Sequence, residues 1–149
     1  MKKAFTLTEL VIVVAIIAIT SVFSFGVWRY GLVKAEFDGV VSEIIGIFQD
    51  ARGYAVKNVE VGGANNAVYI VANVGGVVTL SGDVSGVLDT YDFTDVVEFS
   101  SDWESYYEAP YADFSVLGGG DLEFTMSSVK GDMSQDIIVH DLSGIAEEE

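Results

Sequence analysis

Glu9 is the residue whose position most needs a chemical explanation. It lies at the start of an apolar segment, because residues 10–28 carry no charged side chain and Arg29 ends the run. A lone carboxylate at the middle of a membrane-spanning helix costs roughly 2.5–3.5 kcal/mol on insertion scales, and less near the edge. An ionisable side chain in such a segment therefore indicates a functional role.

The single histidine and the glycine-rich segment do not form a catalytic pattern. His140 has no histidine or cysteine partner, and its alternation with Ile137 and Val139 predicts an ordinary strand position. The glycines at 118–120 are followed by Asp121 instead of the Lys-Ser/Thr pair of a phosphate-binding loop. We therefore expect no enzymatic activity and no cofactor.

Three aspartates are spaced by three residues: Asp89, Asp92 and Asp95. A calcium loop of the EF-hand type needs acidic residues at alternating positions, a central glycine and a closing glutamate, and this segment lacks that order. The spacing therefore predicts a solvated acidic loop, with a calcium site as the weaker alternative.

A second acidic segment is rich in aromatic residues and contains the only proline of the chain, Pro110. Aromatic side chains among acidic ones can form a surface for a partner or a sugar. The alternative is that they pack over a sheet edge or against a neighbouring subunit. The candidate residues are Trp103, Tyr106, Tyr107 and Tyr111.

The overall charge excludes one class of partner. Seven basic residues stand against 23 acidic ones, giving a net charge of -16 and a pI near 4.1. Such a balance repels phosphate backbones, so we expect no nucleic-acid binding by the folded domain. The chain has no cysteine, which excludes disulfides and thiolate metal sites.

Residues 5–28 are long enough to anchor the chain in a membrane. As a helix of about 1.5 Å per residue they span about 36 Å. Lys2 and Lys3 precede the segment, which places the N-terminus in the cytoplasm and the rest of the chain outside. A secretory signal peptide is the alternative, but its apolar core is usually ~7–15 residues long and ends at a small-x-small cleavage site.

The beginning of the chain resembles the class III leader of type IV pilins and type II secretion pseudopilins. Lys2-Lys3-Ala4 is followed by Phe5-Thr6-Leu7-Thr8-Glu9-Leu10 and the apolar run. The resemblance implies that prepilin peptidase, a membrane aspartyl protease, cuts between Ala4 and Phe5 and that the new terminus is N-methylated. Ala4 stands where the family usually has glycine. The mature chain would comprise residues 5–149.

The resemblance also implies polymerisation through the N-terminal helix, with other pilins, on an inner-membrane assembly platform. Once Phe5 is the terminus, its amine lies about one helical turn from Glu9, and a staggered neighbour can offer its own amine to the Glu9 carboxylate. Such a pair offsets the cost of burying the charge. Gly26 occupies a position where pilins commonly have a helix-breaking proline, which makes it a candidate hinge; close helix packing is the alternative.

The remaining chain predicts an α+β fold. Between Val33 and Ala55 apolar residues recur at steps of three and four, which predicts an amphipathic helix ending near Asn58. Short β-rich runs follow, and a helix before an antiparallel sheet is an α+β arrangement. The candidate strands are 67–72, 77–80, 96–100, 114–117, 122–126 and 136–140. The predicted regions are a leader (1–4), a transmembrane or filament-core helix (5–28), an amphipathic helix half (29–58) and a β-rich head (59–149).

These patterns favour a structural subunit of a type IV pilus or related filament, made as a precursor in the cytoplasmic membrane and then displayed outside the cell. Residues 44–58 are similar to the second helical half of minor pilins and H-type pseudopilins. A periplasmic pseudopilin of a type II secretion system is therefore one alternative. An uncleaved, single-pass, membrane-anchored binding module, with the aromatic segment as its ligand site, is another.

Overall fold

A computed structural model of the protein describes residues 6–57, 60, 65–117, 119–141 and 143–148, with residues 23–26 described by their helical backbone alone. In these residues one long helix precedes nine strands, which confirms the predicted α+β class. The elements are α1 (Leu7–Lys57), β1 (Val68–Val74), β2 (Val77–Gly82), β3 (Gly86–Asp92), β4 (Val97–Phe99), β5 (Trp103–Glu108), β6 (Asp113–Val116), β7 (Leu122–Ser128), β8 (Ser134–Val139) and β9 (Ala146–Glu148).

The chain divides into two compact units, Met1–Ala35 and Glu36–Glu149. In the second unit the helix buries one face. Its buried residues recur at steps of three and four, as the sequence predicts for an amphipathic helix. They are Phe37, Val40, Val41, Ile44, Ile47, Phe48, Ala51 and Ala55.

The strands form two antiparallel sheets, whereas the sequence predicted one. The first sheet has the order β3-β2-β1-β5-β6 and the second has the order β4-β7-β8-β9. Three of the strands were not predicted: β3, β5 and β9. The last of these pairs with β8, so Glu147 and Glu148 lie in a ladder.

An aromatic cluster joins the helix to both sheets. The ring of Phe48 on α1 stacks on that of Trp103 in β5, with centroids 5.3 Å apart, and on Phe124 in β7 at 6.3 Å. Trp103 and Phe124 stack on each other at 4.7 Å. Offset aromatic pairs at these distances add to the stabilisation that burial provides, so this cluster unites the three layers.

A buried amide holds the turn between β2 and β3. The side-chain oxygen of Asn66 accepts hydrogen bonds from the backbone N–H of Val84 and Ser85, at 3.2 and 2.9 Å, and from the Ser85 hydroxyl at 3.0 Å. Gly82 lies against this amide so closely that a Cβ there would collide with the Asn66 side chain. The approach therefore requires glycine at position 82.

Candidate assembly site

The start of α1 is organised by two side chains, Thr6 and Glu9. The Thr6 backbone N–H and hydroxyl both donate to Glu9 Oε2, at 2.8 and 2.9 Å. In return the Glu9 N–H donates to the Thr6 hydroxyl oxygen at 3.3 Å. This reciprocal arrangement is a capping box, and it satisfies backbone donors that the first turn of a helix otherwise leaves unpaired.

The capping box gives Glu9 a local role that our sequence reading missed. The pattern Thr-x-x-Glu before an apolar run is the usual sequence signal for this cap, and residues 6–9 show it. The cap does not use up the carboxylate, because its two oxygens can accept about four hydrogen bonds. Glu9 can therefore hold the helix start and still accept a donor from another chain.

Beyond the cap, the N-terminal unit presents apolar side chains to its surroundings. Leu10, Ile12, Ile16 and Ile17 are all more than half exposed. An 18-residue window of this helix has a mean hydropathy of 2.7, and none of it is buried within the chain. By length and composition the helix can cross a membrane. A helix that is apolar on all sides needs lipid or other protein around it.

Two hydroxyl groups in this segment, those of Thr20 and Ser21, are satisfied within the helix. Thr20 Oγ1 donates to the Ile16 and Ile17 carbonyl oxygens, at 3.0 and 3.1 Å. Ser21 Oγ donates to Ile17 O at 2.7 Å. Polar side chains that bond to the preceding turn need no water, which suits them to an apolar environment.

Three of the predicted site residues cannot be compared with the structure. Ala4 and Phe5, the predicted cleavage position, lie outside the described residues. Gly26, the candidate hinge, falls within α1, but the surroundings of residues 23–26 are outside the description. Cleavage before Phe5, the pairing of Glu9 with a neighbour and the hinge at Gly26 therefore stay predictions.

Three of the four aromatic candidates lie in strand β5, and Tyr111 lies outside it. Residues alternate in β5, so that Trp103 and Tyr107 face the core, with 8% and 0% exposure, and cannot offer a partner surface. The Tyr107 hydroxyl donates to Gly144 O at 2.8 Å, and burial raises the pKa of this phenol. Tyr106 is half-buried. Tyr111, in the turn after β5, is 80% exposed.

The acidic segment around Asp89 is also a strand for most of its length. Asp89 and Asp92 lie in β3, where Asp89 accepts from the Tyr91 hydroxyl at 3.2 Å. Asp92 accepts from the hydroxyl and the N–H of Thr94, at 2.6 and 3.1 Å, which lowers the pKa of Asp92. Asp95 follows in a turn. Within the described parts of the chain, no three His, Cys, Asp or Glu side chains are grouped to hold a metal ion.

His140 follows the last residue of β8 and is half-exposed. Its Nδ1 lies 3.4 Å from Asp121 Oδ2. The other oxygen of Asp121 accepts from the Asp141 N–H at 2.7 Å, and this bond, with a smaller effect of His140, lowers the pKa of Asp121. Asp121, His140 and Asp141 join the two ends of the β7–β8 hairpin, so we assign these contacts a structural role.

Comparison with known proteins finds a family at the N-terminus. No match was found among the curated proteins or among the solved structures. Residues 1–25 match the family described as the prokaryotic N-terminal methylation motif. The match ends within the exposed apolar segment that follows the capping box. Residues 1–25 therefore carry the class III prepilin leader and apolar segment that are typical of type IV pilins and pseudopilins.

Proposed function

We propose that this protein is a structural subunit of a type IV pilus or related filament, cut between Ala4 and Phe5 and polymerised through α1. Pilin-type proteins are processed by prepilin peptidase and polymerise. The observation that carries the proposal is the methylation motif at residues 1–25, continuous with a helix whose apolar side chains are uncovered within the chain. In lipid this segment anchors the precursor, and in a filament the helices of neighbouring subunits cover it.

Glu9 is the residue that we propose to select the register of assembly. The terminal amine of a neighbouring Phe5 is a charged donor for its carboxylate. In an apolar surrounding an unpaired charge is strongly unfavourable, so only a stagger that supplies the partner is stable. The capping box supports this role, because it orients the carboxylate at the helix start before a neighbour arrives.

The acidic composition of residues 36–149 supports a head whose surface contacts solvent and other proteins. Every acidic residue except Glu9 lies there, with three basic residues: Arg52, Lys57 and Lys130. This charge disfavours direct capture of nucleic acid by the head. We propose the cytoplasmic membrane as the location of the precursor and the cell exterior as that of the filament.

The processing step is tested by the mass of the mature N-terminus. The full chain, produced in a cell that contains prepilin peptidase, is expected to begin at a methylated Phe5. Sheared surface fractions are expected to contain it as filaments. An intact Met1 on the exported protein would contradict the proposal and favour an uncleaved anchor.

Comparing Glu9→Ala with Thr6→Ala, its matched control, distinguishes a role of Glu9 in assembly from its role in helix capping. Both changes break the capping box, at a cost of about 1 kcal/mol to the helix start. Only the first removes the carboxylate that a neighbour needs. We expect Glu9→Ala to insert in the membrane and be processed but to yield no filaments, while Thr6→Ala assembles. Equal yields from the two variants would refute the pairing.

A further inference from the structure

A pocket near the end of α1 concentrates positive charge in an otherwise acidic unit. Its volume is about 400 Å³, and its walls come from the last turns of the helix and the loop before β9. The side chains of Val56 and Ile145 at this pocket are 49% and 39% exposed. Arg52 and Lys57 also line it. We call it the Arg52 pocket.

These two cations are available to a partner. The third basic residue of the unit, Lys130, is already bonded to Glu36 at 2.8 Å. Arg52 Nε donates to Ser143 O at 3.0 Å, which fixes the guanidinium at the pocket wall. Among the described residues, neither Arg52 nor Lys57 takes part in an ion pair.

The turn at residues 108–113 has the complementary features, and we call it the Tyr111 turn. Tyr111 is 80% exposed, and no other aromatic side chain is among the largely exposed residues described in the second unit. Glu108 and Asp113 face each other across the β5–β6 ladder on either side of it. Like charges directly opposite each other destabilise a strand pair. No cation offsets them within the described parts of the chain.

We propose that the Tyr111 turn of one copy docks in the Arg52 pocket of a neighbouring copy. The Tyr111 ring packs against Val56 and Ile145, while Glu108 and Asp113 approach the two cations. The contact rests on the proposed filament function and adds to it a specific interface between heads. Because turn and pocket are different surfaces, the contact is head-to-tail, and such a contact extends into a helical polymer when its rotation does not close.

Electrostatics favours this pairing over other contacts between copies. Two strongly acidic heads repel each other, and the repulsion is least where Arg52 and Lys57 of one face acidic residues of the other. Tyrosine, with an apolar body and a polar tip, is enriched at protein interfaces.

Photo-crosslinking of assembled filaments tests the contact directly. Tyr111 is replaced by benzoylphenylalanine in the full chain, which keeps an aromatic ring at the position. Irradiated filaments are expected to give a ladder of linked subunits, with the crosslink mapping to residues 49–57 or 143–145. The matched control carries the same group at Leu117, which is 89% exposed, and is expected not to link to these residues.

A charge exchange provides a second measurement that leaves the Arg52 contacts intact. Lys57→Glu is expected to lower the filament yield about tenfold, which corresponds to about 1.4 kcal/mol. Adding Asp113→Lys is expected to restore it. Adding Asp132→Lys, which gives the same net charge at an exposed site between β7 and β8, is expected to leave the yield low.

The outcomes distinguish this contact from the function on which it rests. Filaments that form normally but crosslink elsewhere would overturn the contact. Equal restoration of the Lys57→Glu filament yield by Asp113→Lys and by Asp132→Lys would also overturn it. Either result would leave the filament function standing. Absence of filaments from the parent chain would overturn the proposed function and this contact with it.

Discussion

The two compact units use the same kinds of side chain in opposite ways. On one continuous helix, Ile17 in the first unit is 58% exposed, whereas Ile44 in the second is fully buried. Charge is divided just as unevenly, since every acidic residue except Glu9 lies in the second unit. The second unit obtains its core from its own chain. The first has an apolar surface that something outside the chain must cover.

The largest expected effect tests this division with two apolar truncations on α1. Phe48→Ala removes the ring that joins both sheets, and a fully buried phenylalanine of this kind is worth about 3–5 kcal/mol. Ile17→Ala is the matched change in the first unit and should leave unfolding of the head unchanged. Urea unfolding of the detergent-solubilised full chain, followed by near-UV circular dichroism, measures both. Comparable losses would show that the head depends on the first unit for stability.

An intermediate effect is expected from the buried amide of the second unit. Asn66→Ala leaves the donors of Val84 and Ser85 without their acceptor, and we expect it to cost about 2 kcal/mol. Asn65→Ala, at the exposed neighbouring position, is the control and should change the free energy of unfolding little. If the two variants unfolded at the same urea concentration, the turn would not depend on this amide.

The smallest expected effect is a pH dependence at Asp121. The hydrogen bond from Asp141 lowers the pKa of this carboxyl below its ordinary value of 3.8, so the unfolded chain takes up the proton first as pH falls. Its stabilising contribution is therefore complete above 3.8 and is lost as the pH drops through the lower folded-state value. Across that window, the melting temperature of the parent chain should fall more than that of Asp121→Asn. Parallel curves would contradict the assignment.

The helix could be predicted from sequence because its signals are strong. An uncharged run of residues 10–28 and then regular steps of three and four place apolar residues where the structure finds them, and α1 ends at Lys57, next to the predicted end. The match of residues 1–25 to the methylation motif confirms the resemblance drawn from the same region. Both predictions depend on local residue order, which a sequence displays directly.

The missed strands show where local order is a weaker guide. In β5 the alternation of Trp103, Ser105 and Tyr107 with outward residues was present in the sequence, but we did not predict a strand there. The edge strand β3 has no such pattern, because no residue in it is fully buried. The strand forms because it pairs with β2, and the residues of β3 alone do not display that pairing. The Thr6–Glu9 cap had a clear sequence signal, Thr-x-x-Glu, but we had interpreted Glu9 only as an assembly residue.

The internally bonded hydroxyls of Thr20 and Ser21 have a consequence for reversibility. The Ile16 and Ile17 carbonyl groups satisfy both hydroxyls, so neither must exchange a hydrogen bond when the neighbours of the helix change. Hydrocarbon tails and aliphatic side chains are nearly equivalent solvents for such a surface, so transfer from one to the other has little hydrophobic driving force. Whether the helix stays among lipids or among other helices is then decided by shape and by a few charges. A balance of that kind can be reversed without unfolding the head.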